Sequence, residues 1–219
     1  MKSRKWYLIT AISDIAVVFM ILFALVVMYC GLDIGVLFSE KGISMFRYYT
    51  VDANFFTAAA CIVCAPLEIK AYKKEHYELP AWAVMFKFTG IVCLTLTFLV
   101  VVFFLMPMFG VKKMTEGSNV FMHFVIPVWC ILTFCLSGQG KLVKKAFIPL
   151  SLIPTFLYGI AYLVPILGSG PDNVVPSKHA DWYGFAQVGP VLLAPVFLLL
   201  IAITYGIARG VWKMSGGRR

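Results

Sequence analysis

The sequence predicts an all-α fold, a polytopic membrane bundle of six transmembrane helices, and three observations lead there. The chain of 219 residues is 61% hydrophobic and only 13% charged, whereas a soluble domain carries about a quarter charged residues. Its apolar residues fall in runs of about twenty, the length that crosses a hydrocarbon core of about 30 Å as a helix. Those runs lack the period-two alternation of a membrane barrel, and a helix satisfies its own backbone hydrogen bonds in lipid.

In order, the predicted spans are about 7–31, 48–69, 83–109, 120–137, 147–168 and 188–210. Together they make residues 1–219 a single six-helix membrane domain. The first follows Met1-Lys2-Ser3-Arg4-Lys5, which has the look of a signal n-region. The apolar run from Trp6 to Leu32 is too long for a signal peptide core and reads as an uncleaved span. The fourth span is the shortest. Between the first two, Leu32–Phe46 mixes apolar residues with Asp33, Glu40 and Lys41 and suits the membrane surface. Before the last, Ser169–Gln187 is rich in Gly, Pro, Asp and aromatics and reads as an ordered loop or lid. No internal repeat is evident.

Charge gives this bundle a direction. The excess of 19 Lys and Arg over 10 Asp and Glu, +9 in all, is dispersed over short loops rather than gathered on one face. That distribution argues against nucleic acid as a partner and for lipid headgroups. Thirteen basic residues fall on one side: Lys2, Arg4, Lys5, Lys70, Lys73, Lys74, Lys141, Lys144, Lys145, Arg209, Lys213, Arg218 and Arg219. Five fall on the other: Lys41, Arg47, Lys112, Lys113 and Lys178. The positive-inside rule then puts both termini in the cytoplasm of a multi-pass cell-membrane protein. Lys87, just inside the third span at the basic side, is expected to snorkel to the interface, and Glu68 to lie at the interface beside Lys70.

Cofactor chemistry finds no pattern here. Cys61 and Cys64 form C-x-x-C, but no second ligand pair accompanies them for zinc. A second span histidine for haem is lacking as well. The expectation is no metal and no cofactor, with the six cysteines serving as small apolar fillers.

Polar groups inside spans are costly, so each needs a reason. Thr50, Asn54, Thr57 and Cys61 fall at i, i+4, i+7 and i+11, one stripe of a helix that faces other helices or a cavity. In the fourth span, Pro127 removes an amide and clashes with the carbonyl of His123, so a kink is expected beside that histidine. Thr50 and His123 lie at similar depth, and a threonine hydroxyl next to an imidazole base has the logic of an activated nucleophile. Asn54 or Asp52 could orient the imidazole or stabilise developing charge. Asp52 lies about 200° around the helix from Thr50, which makes Asn54 the better companion. Asp14, in the first span, has no assigned role.

Phe46-Arg47-Tyr48-Tyr49-Thr50, with Asn54, followed by Met122-His123-Phe124-Val125-Ile126-Pro127, resembles the androgen-induced and androgen-dependent TFPI-regulating protein-like family of membrane hydrolases, through its six-span bacterial relatives. Asp181-Trp182-Tyr183-Gly184-Phe185 resembles the aromatic segment that precedes the family's last span. The resemblance covers most of the chain in order and spacing. One departure is Ala53, where bacterial relatives usually carry serine. Animal members of the family are threonine hydrolases that cleave fatty acid esters of hydroxy fatty acids. The resemblance therefore implies a lipid-ester hydrolase with Thr50 as nucleophile and His123 as base. Supporting residues would be Asn54, Asp52 and Thr57, with Tyr183 and Gln187 at the mouth, and the partners would be membrane lipids and a lipid-like substrate. Two other readings of the same residues stay open. Asp14, Asp52 and His123 could form the path of a small proton- or ion-coupled transporter, or the polar stripe could be interhelical glue in a non-catalytic sensor or assembly protein.

Overall fold

The computed structural model describes residues 4–33, 36–168, 181–183 and 190–217. Among them the regular structure is entirely helical. The helices are α1 (Lys5–Tyr29), α2 (Tyr49–Lys73), α3 (Ala81–Phe109), α4 (Phe121–Ser137), α5 (Lys145–Gly168) and α6 (Pro190–Met214). Five of them are long and apolar enough to cross a membrane. The shorter one is α4, a five-residue π turn leading into a twelve-residue α-helix. Several long apolar helices of this kind are the mark of a multi-pass membrane protein.

α1, α2, α3 and α4 form the packed centre, where Val17, Ile21, Phe88, Ile91, Met122, Ile126 and Phe134 are buried to within 1% of full burial. Specific contacts fix the register. The indole of Trp129 on α4 donates to Ser13 Oγ on α1 at 2.8 Å. Gly90 lets α3 approach α2 closely, since a Cβ there would come within 2.8 Å of Thr57 Oγ1 and 3.1 Å of Thr57 Cα. α5 and α6 are peripheral: only 28% and 17% of their apolar stretches are buried, against 50% of that of α2. The remaining apolar surface is large and includes Phe19, Phe23, Phe103, Leu157, Leu198 and Leu199, as expected of helices whose outer face meets lipid rather than water.

α3 and α4 are not regular α-helices. Val101–Leu105 and Phe121–Val125 are π turns, closed by Met106 N–H to Val101 O and by Ile126 N–H to Phe121 O. Pro107 and Pro127 stand two residues past the ends of these turns. Each proline withholds an amide from the carbonyl four residues back, and the helix absorbs the defect by winding one residue wider. The disturbance expected at Pro127 is therefore a π turn that contains His123.

Two expectations are overturned at the end of the bundle where α1 begins and α2 ends. Lys87 does not snorkel; it is 3% exposed. Its Nζ lies 2.6 Å from Asp14 Oδ1 and 3.0 Å from Glu68 Oε1. Glu68 is not interfacial but 1% exposed. Two buried carboxylates attract the ammonium more strongly than the interface does, because charge interactions strengthen where water is excluded. At the opposite end, the described residues of Leu32–Phe46 pack onto the bundle. Asp33 accepts the Ser118 N–H at 2.8 Å, a 3₁₀ turn spans Gly42–Arg47, and Phe38, with a φ of 61°, turns its ring between Tyr48, Phe109 and Tyr183.

Candidate functional site

The end of the bundle opposite the Lys87 cluster holds an apolar cavity with about 120 Å³ of water-accessible space. That is room for about four waters at the volume each takes in the liquid, more than a packing defect offers. Its walls are the first turns of α2, the second half of α3, the π turn of α4, the second half of α5 and the first turns of α6, with Phe38 across one end.

Thr50 and His123 both line this cavity. Thr50 is the second residue of α2 and half-buried. Tyr48 is extended and ends the preceding turn, so α2 starts with free amides. The first of them is satisfied across the chain: Tyr49 N–H donates to Tyr183 Oη at 2.9 Å. His123 is 3% exposed, and its Nδ1 lies 3.4 Å from Met114 O. A proton on Nδ1 directed at that carbonyl leaves the lone pair on Nε2, the tautomer a general base needs.

Asn54 ties the two halves of the site together. Its Nδ2 donates to Thr50 O at 2.8 Å and to Met122 O at 3.3 Å. One amide thus joins the turn carrying Thr50 to the residue before His123. Both donors are committed to backbone, so Asn54 is a positioning residue and not a donor to developing charge. Its Oδ1 is buried without a partner.

The other residues read from the sequence go to different places. Asp52 lies outside the cavity, in a separate surface depression with Tyr49, Phe56, Cys93 and Tyr158, as its angular separation from Thr50 requires. Thr57 is also outside the lining. Its hydroxyl donates to Ala53 O at 2.8 Å, and it packs against Gly90, so it serves the α2–α3 contact and not the site. Tyr183 lines the cavity. Gln187 lies outside the described residues, as does most of Ser169–Gln187.

A tyrosine wall completes the cavity and was not picked out from the sequence. Tyr49 Oη and Thr155 Oγ1 are 2.7 Å apart. Tyr158 Oη donates to Arg47 O and accepts from Trp182 Nε1 at 3.1 Å. Tyr162 bonds Asp181. These phenols sit on two helices far apart in sequence, α2 and α5, and only the tertiary fold gathers them. Their density is an amphipathic signature: aromatic bodies face the cavity while hydroxyls bind backbone and loop. None of the six cysteines is joined in a disulfide, and Cys64 donates to Ala83 O at 3.2 Å. No group of three or more His, Cys, Asp or Glu able to hold a metal ion occurs among the described residues.

No family model, curated protein or solved structure matches this chain.

Proposed function

We propose that the chain is a six-span cell-membrane protein, with both termini cytoplasmic, that hydrolyses lipid esters in the half of the bundle farther from the termini. The observation that carries the reading is that Thr50 and His123 line one largely apolar cavity of a size suited to part of an acyl chain. The sequence resemblance assigns the same two residues their roles, and the bias of lysine and arginine supports the orientation.

In this reading, Thr50 Oγ1 attacks the ester carbonyl while His123 Nε2 takes the hydroxyl proton. Collapse of the tetrahedral intermediate breaks the bond to the alcohol, and His123 returns the proton to that leaving oxygen. Water, deprotonated by the same imidazole, then attacks the acyl carbonyl and releases the fatty acid, and the imidazole returns that proton to Thr50 Oγ1. Asn54 holds the Thr50 turn against the His123 turn. Esters of hydroxy fatty acids are the substrate class the resemblance favours, and the apolar walls suit their chains. Peripheral α5 and α6 offer a side through which a lipid can enter.

The test is labelling of the purified protein with a fluorophosphonate, alongside turnover of fluorescent lipid esters. Wild type is expected to label and turn over. Thr50→Ala and His123→Ala are each expected to lose about 10³-fold or more in turnover, since a nucleophile and its base act as a unit. Absence of labelling in wild type, or labelling that survives Thr50→Ala unchanged, overturns the mechanism.

A further inference from the structure

The Lys87 cluster has no part in the hydrolysis above, and its charge does not balance. Lys87 Nζ bonds both oxygens of Asp14, at 2.6 and 2.7 Å, and Glu68 Oε1 at 3.0 Å. Gln139, from the 3₁₀ turn Gln139–Leu142 between α4 and α5, donates Nε2 to Glu68 Oε1 at 2.6 Å. The side chains of Lys87, Asp14 and Glu68 are 4, 3 and 1% exposed, and Gln139 is 5% exposed. Two carboxylates face one ammonium, so one negative charge is left over in a buried site, where an uncompensated charge is strongly disfavoured. Two acceptors in the same cluster, Glu68 Oε2 and Gln139 Oε1, have no hydrogen-bond partner.

A metal cation would balance the charge but would sit beside the Lys87 ammonium with only two carboxylates to hold it. A proton balances it without that repulsion. It also converts one carboxyl oxygen from an acceptor into a donor, which is what a cluster with unpartnered acceptors lacks. We propose that Asp14, Lys87, Glu68 and Gln139 form a proton-binding site that holds one exchangeable proton on its carboxyl pair, with the unpartnered Glu68 Oε2 as an acceptor for it. The proton comes from water at the end of the bundle that Gln139 closes. The Gln139 turn is itself held by the residue that follows α6: a Cβ on Gly140 would fall 1.9 Å from Ser215 Oγ. The other titratable groups that interact with the cluster are Cys61 and Cys64 on α2, Cys130 on α4 and Tyr7 on α1. All of them stay in place in the variants below.

Infrared spectroscopy of the full chain in lipid nanodiscs, in H₂O and in D₂O, separates a protonated carboxylic acid from a carboxylate. At neutral pH, wild type is expected to show a carboxylic-acid band that shifts in D₂O. Asp14→Asn and Glu68→Gln should each abolish that band, because each leaves a neutral lysine–carboxylate pair. Lys87→Met should about double it. Asp52→Asn, outside the cluster, should leave these differences unchanged. A wild type without the band, or a band that survives either neutralisation, overturns the proposal. So does a band seen only when sodium is replaced by N-methylglucamine, which would mean that a metal ion occupies the site.

Should Lys87→Met fail to fold, reversible unfolding in mixed detergent tests the same point with wild type and Glu68→Gln. A folded state that binds one more proton than the unfolded chain loses stability as pH rises. The expected loss is about tenfold in the folding equilibrium constant per pH unit, from where free carboxyls ionise to where the cluster releases its proton. Glu68→Gln should remove that slope, and an unchanged slope overturns the proposal.

Discussion

Asn54 shows how much a single side chain can organise. It is fully buried, and its two donors reach the carbonyls of Thr50 and Met122. Asn54→Ala removes both side-chain bonds, at a cost of about 1–3 kcal/mol. Thermal unfolding in detergent should show that loss. Lipid-ester turnover should fall further than the loss of folded protein explains, because the Thr50 and His123 turns are no longer tied. Asn54→Asp should be worse on both counts, since a carboxylate cannot donate to either carbonyl. The sequence made Thr50, Asn54 and His123 legible because helical spacing sets which residues share a face. It misplaced Thr57, which shares that face but lies a turn deeper, where α3 leaves no room for a cavity.

At the scale of elements, the two prolines decide the geometry of the site. A missing amide can be read from the sequence at Pro127, but how a helix absorbs the loss cannot, because a kink and a π turn satisfy the same sterics. Here the π turn rotates Phe121–Val125 relative to the rest of α4 and presents His123 to the cavity. Pro127→Ala restores an amide to the His123 carbonyl and lets the turn relax to α-helical winding, about 100° per residue. The expected result is unchanged helical content by circular dichroism, stability at or above wild type, and at least a tenfold loss of lipid-ester turnover. Retained turnover would mean that the π turn does not set the position of the histidine. The same limit explains Lys87. Periodicity places it near the end of a span, yet its partners, Asp14 and Glu68, lie 73 and 19 residues away in sequence. Only helix packing brings them together.

For the whole molecule, length and composition made the helical bundle and its long apolar spans readable, because about 20 apolar residues have few other fates. The tyrosine wall and the buried ion cluster were not readable, since each is assembled from several helices. The cluster and the cavity occupy opposite ends of one bundle, and in the proposed orientation those ends face opposite sides of a membrane. In a background with Cys30→Ser, a membrane-impermeant maleimide applied to intact cells should label Lys113→Cys. It should reach Lys144→Cys only after the cells are opened. The reverse pattern would invert the orientation and move the proposed hydrolysis to the cytoplasmic side.

The ion cluster also bears on how such a chain is made. Asp14 is synthesised 73 residues before the lysine that neutralises it. On insertion scales, an acidic residue deep in a span costs about 2.5–3.5 kcal/mol. The first helix therefore carries a liability that Lys87 on the third, or a proton, can offset, and Glu68 on the second adds to it. Early packing of the three would remove that cost, which favours assembly as a trio over assembly helix by helix.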